Sequence, residues 1–397
     1  MNNINSVLKQ YFGYSTFRPL QREIVENVIA KKDVFVLMPT GGGKSLCFQL
    51  PSVLMDGITI VVSPLISLMK DQVDSLNQMG IPAVFLNSSQ TTYEQNKVLD
   101  LIYSNKIKLL YVAPERLLLD SFLQILQNVK INFITIDEAH CISQWGHDFR
   151  PEYGKLNVIR KKFSNIPIIA LTATATPRVK EDIIKKLNLS NPQLFQGSFN
   201  RPNLSYYVTQ KKAPFNQILE IVNNHKKQSG IIYCQSRKGA ERLAEKLQFE
   251  GILALPYHAG LSDLIRSQNQ EAFIKENTDV IVATIAFGMG IDKPNVRYVL
   301  HYDLPKSIEN YYQETGRAGR DGLKSECVLL FSFADRYKQS RFIDELEDAQ
   351  ERIIAQTQLL HVNNYAQSDT CRRKILLNYF EESYEKKNCE SCDLCLI

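Results

Sequence analysis

Met38-Pro39-Thr40-Gly41-Gly42-Gly43-Lys44-Ser45 follows a short apolar run and ends in a lysine–serine pair suited to phosphate. Thr40, Gly41, Gly42 and Gly43 let backbone N–H groups turn toward an anion. Lys44 adds a point charge for the outer phosphates of ATP, Ser45 offers a hydroxyl to Mg2+, and a helix starting here presents its positive end. Asp137-Glu138-Ala139-His140 follows another apolar run, residues 133–136. An acid at a strand end beside a phosphate loop suits Mg2+, and a second acid suits positioning of the attacking water. Arg317 and Arg320 stand three apart in the Gly-rich segment 313–322. ATP hydrolysis builds charge on the transferring phosphoryl group, and arginine offered across a cleft stabilises it. Each string has an ordinary alternative: a Gly-rich turn entering a helix, acids capping a helix, a solvated turn with ion pairs. Together they describe a two-lobed NTPase.

Two further clusters stand out. Cys371, Cys389, Cys392 and Cys395 crowd the C-terminal end, whereas Cys47, Cys141, Cys234 and Cys327 lie singly in apolar segments. The first ten residues are polar and lack an apolar signal core, so a reducing compartment is expected and disulfides are not. Clustered thiols then read as ligands of a structural Zn2+, with free thiols on a frayed tail as the alternative. The sole tryptophan, Trp145, sits in a polar loop with Phe149 and Arg150 directly after the acids. An aromatic there can stack on an unpaired base, worth about 1–3 kcal/mol. Its plainer reading is a half-buried anchor for the loop. His140 and His147 have a bland alternative too, as satisfied structural groups.

These residues need elements to place them. Apolar runs without strict alternation occur at 33–38, Ile58–Val62, Leu109–Val112, 133–136 and 168–171, and again at 230–234, Val280–Ala283, Val296–His301 and 327–331. Such runs read as strands buried on both faces of a parallel sheet. Helical spacing fills the intervals, as at 65–79 and at Ala240, Leu243, Ala244 and Leu247. This is α/β grammar in two series. Residues 196–214, with Gly197, Pro202 and Pro214, read as the connection, and from about 341 the pattern turns helical. The expected domains are 1–199, 200–340 and 341–397.

The strings are long enough to carry a resemblance. The chain resembles the RecQ family of superfamily 2 DNA helicases over nearly its whole length. Beyond the generic motor, Phe12-Gly13-Tyr14 with Phe17-Arg18-Pro19-Leu20-Gln21 is similar to the family's adenine-reading segment. The resemblance implies packing by Tyr14 and Arg18 and an adenine contact by Gln21. Residues 141–150, 172–176 and 286–294 resemble its aromatic-rich loop, third motif and fifth motif, the last adding Asp292 to the nucleotide site. By the same resemblance His140, Ser143, Gln144, Trp145, His147, Phe149 and Arg150 couple ATP hydrolysis to DNA. The implied fold is two tandem RecA-like parallel-sheet lobes followed by a small helical zinc-binding module. The implied activity is ATP-dependent 3′–5′ movement on single-stranded DNA, with unwinding at duplex junctions, in recombination and repair. Single-strand-binding and other repair proteins are implied partners, and the chain is expected to be a cytoplasmic monomer, nucleoid-associated in a bacterium or nuclear in a eukaryote. Larger relatives continue into a winged helix. This sequence stops at Ile397, so translocation is a firmer expectation than strong unwinding.

Composition bounds the rivals. The 397 residues are 44% apolar and 22% charged, and no run approaches the about 18 apolar residues of a membrane span. The net charge of +5 divides into +5 for 1–199, +4 for 200–340 and −4 for 341–397. Phosphate attraction therefore falls on the lobes, and the tail reads as a brace. An RNA helicase of the same superfamily and a nucleotide-gated scaffold without turnover are the competing readings.

Overall fold

The computed structural model describes residues 4–288 and 293–396. The chain divides into two compact units between Ser198 and Phe199.

In the first unit β1 (Val34–Leu37), β2 (Ile58–Val62), β3 (Ala83–Leu86), β4 (Leu109–Val112), β5 (Ile131–Ile136), β6 (Ile168–Thr172) and β7 (Gln193–Gln196) form one sheet in the order β3-β4-β2-β5-β6-β1-β7. Every pairing is parallel. The central strands are covered on both faces, which is why they read as mostly Val/Ile/Leu/Phe with only an occasional Thr, Ala or Asn. Phe133 and Tyr111 on the strands and Phe48 and Met69 on the covering helices are fully buried together, and each such side chain contributes about 1.5–3 kcal/mol.

In the second unit β8 (Leu204–Gln210), β9 (Ser229–Tyr233), β10 (Ala254–Tyr257), β11 (Val280–Ala283), β12 (Val296–His301) and β13 (Ser325–Phe331) give the order β10-β11-β9-β12-β13-β8, again all parallel. The helix Arg237–Phe249 buries Ala240, Leu243, Ala244 and Leu247 on the sheet, the expected stripe. Gly230 of β9 faces Tyr298 of β12, whose ring would lie 1.9 Å from any Cβ there, so only glycine fits.

Two expectations change. Residues 196–214 contain the unit boundary, but they are not mainly a linker: Leu204–Gln210 is the edge strand β8. The C-terminal region is helical over Phe333–Asp344, Ala349–Gln367 and Arg372–Tyr379, then becomes a non-helical knuckle. Tyr206 N–H donates to Ser391 O (3.1 Å) and Asp393 N–H to Tyr206 O (3.1 Å). The knuckle thus pairs with the edge strand and occupies backbone groups that a bare edge leaves open. Among the described residues no helix is long and apolar enough to cross a membrane.

Candidate active site

Because β5, β6 and β1 are neighbours, the segments leaving their C-terminal ends are brought together, where open α/β sheets bind ligands. Met38 N–H donates to Thr172 O at 3.1 Å, joining the segment after β1 to the end of β6. Gly41 and Gly43 have φ of +81° and +80°, and Gly42 N–H closes the turn onto Pro39 O (3.0 Å). The buried Gln21 braces this loop from below. Its Oε1 accepts from Arg18 N–H (2.8 Å) and its Nε2 donates to Gly43 O (3.0 Å). The Arg18 guanidinium donates to Gly41 O. Tyr14 is more than half exposed. Lys44 Nζ lies 3.0 Å from Met38 O and 3.5 Å from Pro39 O, so the ammonium rests on neutral carbonyls. A phosphate oxygen is a stronger partner than these. Thr40 and Ser45 are half-buried in the same loop, and the helix Leu46–Leu54 starts directly after it.

Asp137 is buried, and its Oδ1 accepts from Glu138 N–H (3.0 Å). Burial pushes its carboxyl up to about 7; Glu138 pushes the same way and Lys44 opposes. Glu138 takes a left-handed conformation (φ 48°, ψ 47°), a strain typical of functional turns. A buried carboxylate burdened by its burial and by the neighbouring Glu138, beside a lysine, is a donor that a hard divalent cation relieves, so the residues fit Mg2+. His140 Nδ1 lies 2.9 Å from Thr172 Oγ1 and 3.3 Å from Glu138 Oε2. Burial, then His147, Arg150 and Lys44, hold this ring well below its usual pKa and so neutral. It stacks on His147 with centroids 4.3 Å apart. One neutral imidazole thus touches Glu138 of the acid pair, the end of β6 and the aromatic loop.

The loop is compact. Gly146 is pressed against His140 O, which a Cβ would approach to 2.3 Å. Ser143 Oγ accepts from Trp145 N–H (3.2 Å). Arg150 clips the loop, donating to Asp148 (3.1 and 3.3 Å) and to Pro64 O (2.7 Å). Gln144 is exposed, and Phe149 lies at the surface 5.8 Å from Lys186 Nζ. The half-buried Trp145 ring carries the Arg178 guanidinium 3.1 Å from its centroid. Sequence reasoning missed Arg178. Its only local signal is a basic residue in the first turn after Thr172–Thr176, and its partner is distant in the chain.

In the second unit Arg317 and Arg320 follow the helix Ile308–Thr315. Arg317 is buried beside the Tyr233 hydroxyl, and Arg320 is half-buried. Glu314 on the same turn pairs with His301 at 2.7 Å. Asp292 lies outside the described residues.

Cys371, Cys389, Cys392 and Cys395 bring four sulfurs within 4.8 Å of one another. Tetrahedral Zn2+ at about 2.3 Å from each sulfur needs sulfurs about 3.8 Å apart, so the residues fit the metal. Burial opposes ionisation of Cys389, but the Ser391 amide and hydroxyl and the Cys371 and Cys392 thiols bring it down to about 7. The flanking arginines are buried. Arg372 forks onto Asp393 (3.0 Å at each oxygen) and donates to Tyr365 O. Arg373 bonds Ser391 Oγ and the start of β8.

Comparisons with known proteins agree with this layout. Residues 18–183 match the DEAD/DEAH box helicase family, 213–322 the helicase conserved C-terminal domain and 333–396 the RecQ zinc-binding family. The chain is 50% identical over 390 residues to the ATP-dependent DNA helicase RecQ of Pasteurella multocida, covering 98% of this chain and 62% of that one. It is 44% identical over 397 residues to the RecQ of Bacillus subtilis, covering 100% and 67%. It therefore spans about three-fifths to two-thirds of the length of these relatives. Among solved structures, the DEAD-box helicase Mss116 bound to ssRNA and UDP-BeF is similar with a TM-score of 0.70 at 18% identity, covering 91% of this chain and 80% of that one. The helicase MrfA bound to DNA gives 0.68 at 16%, covering 97% and 59%. At such identities the fold alone is shared. The phosphate loop, acid pair and aromatic loop fall within the first matched family, the four cysteines within the RecQ zinc-binding match, and the RecQ relatives cover 98% to 100% of the chain: the chain belongs to the RecQ family.

Proposed function

We propose that this chain is an ATP-dependent DNA translocase and helicase that moves 3′ to 5′ on single-stranded DNA. The observation that carries the reading is the junction at His140. Its ring contacts Glu138, Thr172 and His147 at once, so the ATP-site acids and the aromatic loop share one side chain.

The residues divide the work. The amides of residues 40–45 and the Lys44 ammonium bind and orient the β- and γ-phosphates, with Gln21, Arg18 and Tyr14 around the adenine. Ser45 and Asp137 would hold Mg2+, which when bound would neutralise charge on the phosphates. Glu138 orients the attacking water and accepts its proton. Arg317 and Arg320 donate to the charge that develops on the transferring phosphoryl group. Trp145 offers its ring to an unpaired base, and Phe149 and Gln144 supply the exposed flank of that contact. Ser143, His147 and Arg150 keep the loop's shape. Asp292 is a further nucleotide-site residue in this reading. Zn2+ held by the four cysteines is structural. DNA, single-stranded and at duplex junctions, is the partner; single-strand-binding and repair proteins, a monomeric state and a cytoplasmic, nucleoid or nuclear location belong to the same proposal.

The test is directional. On single strands biotinylated at one end and capped with streptavidin, ATP should drive release from the 5′ end and not the 3′ end. Single-stranded DNA should stimulate ATP hydrolysis far more than RNA of the same length. Preferential release from the 3′ end, or equal stimulation by RNA, refutes the proposal.

A further inference from the structure

The arginine segment is held by a residue that no motif includes. Arg201 lies between the unit boundary and β8. Its guanidinium donates to Gly316 O (3.3 Å), Ala318 O (3.0 Å) and Gly319 O (2.9 Å). These carbonyls bracket Arg317 on both sides, so one planar fork fixes the backbone that aims its side chain. Asn203 Nδ2 adds a bond to Gly319 O at 2.8 Å. Gly319 has φ +55°, and a Cβ there would meet Asn203 Nδ2 at 2.4 Å, so the segment leaves no room to drift.

Arg201 is itself held from the cysteine knuckle. Arg373 is 3% exposed and spends its guanidinium on four acceptors: Asn200 Oδ1 (2.7 Å), Arg201 O (2.7 Å), Leu204 O (2.6 Å) and Ser391 Oγ (2.8 Å). Ser391 lies between two of the cysteines, and its hydroxyl donates to Cys389 O (3.1 Å). An unbroken hydrogen-bonded path thus runs from the knuckle through Arg373 and Arg201 to the backbone on either side of Arg317.

From this path we infer that Arg201 is a positioning residue for Arg317, and that Arg373 makes its placement depend on the folded four-cysteine knuckle. The inference rests on the role given to Arg317 above. Three carbonyls converge on one planar group, and lysine cannot reproduce that fork. Displacement of a charge-stabilising group by about 1 Å costs about 100-fold in rate. The residues placed on the adenine and along the phosphate loop, Gln21, Arg18 and Lys44 among them, lie in the first unit, whereas the carbonyls that Arg201 holds lie in the second. The knuckle acts here as a clamp on the second unit's chemistry as well as a support for its edge strand.

The test uses the full chain. Arg201→Lys keeps a cation and most of the packing, and should fold, retain zinc and melt close to wild type. It should lower kcat for DNA-stimulated ATP hydrolysis by about 10-fold or more with KM for ATP within about 2-fold. Amide exchange over residues 316–319 should speed up selectively. In an Arg317→Ala background the same substitution should cost nothing further, because the group it aims is gone. Arg373→Lys should give the same kcat signature together with faster zinc release to a chromogenic chelator. The inference is overturned if Arg201→Lys leaves kcat unchanged, if its cost is the same with and without Arg317, or if exchange over 316–319 does not change. A wild-type chain without ATP hydrolysis refutes the functional reading itself, and this inference with it; an active wild type with additive variants refutes the inference alone.

Discussion

Gly43→Ala tests the phosphate loop through its brace. Two costs are separable. The φ of +80° places an alanine in left-handed backbone, about 1–2 kcal/mol. The new methyl would lie 2.4 Å from Gln21 Nε2, so the buried amide must leave. That breaks the bonds to Gly43 O and from Arg18 N–H, about 1 kcal/mol each. The substitution should therefore destabilise the first unit by about 3–4 kcal/mol. Gln21→Ala alone should cost about 2 kcal/mol, the same two bonds. The double variant then keeps only the backbone strain as an added term and should cost about 3–4 kcal/mol, leaving a coupling of about 2 kcal/mol. Trp145 is the sole tryptophan and belongs to the first unit, so its fluorescence during urea unfolding reports that unit directly. Affinity for a fluorescent ATP analogue should fall in all three variants. Strictly additive unfolding costs would show that Gln21 does not brace the loop, and the reasoning would fail.

Other outcomes follow from the same contacts. Trp145→Ala should leave ATP-analogue binding within about 2-fold and weaken stimulation of hydrolysis by single-stranded DNA, since a base stack of about 1–3 kcal/mol is lost; normal stimulation would remove Trp145 from the coupling path. Arg178→Ala uncovers the Trp145 ring and should alter its fluorescence even without DNA; an unchanged spectrum would contradict the stacking. A strong chelator should lower the melting temperature of the second unit, because metal binding and folding are linked; an unaffected curve would count against a structural metal at the four cysteines.

Much of the fold was legible because buried parallel strands announce themselves. Ile58–Val62, Leu109–Val112 and Val280–Ala283 are apolar throughout or nearly so, Val296–His301 is apolar at most positions, and their limits match the expected ones. The strands that escaped notice lie at or near sheet edges. Gln193–Gln196 begins and ends in glutamine and is half exposed. Ala254–Tyr257 contains Pro256. Leu204–Gln210 alternates buried and partly exposed residues between prolines, so its composition resembles a linker. What makes it a strand is the pairing with β13 and the knuckle, both far away in sequence. The site divides the same way. Lys44, Asp137, Glu138 and the last three cysteines lie in contiguous strings whose chemistry is local. Gln21 under Gly43, Arg178 on Trp145 and Arg201 beneath Arg317 are contacts across the fold, and no short string encodes them.

The central claim is that one chain hydrolyses ATP at Lys44 and feels DNA while doing so. Steady-state hydrolysis by the wild type and by Lys44→Ala, each with and without single-stranded DNA, tests it most directly. The expected result is slow turnover by the wild type alone, a large increase with DNA, and turnover near background for Lys44→Ala in both conditions. Equal rates for the two proteins, or a wild-type rate indifferent to DNA, would contradict it.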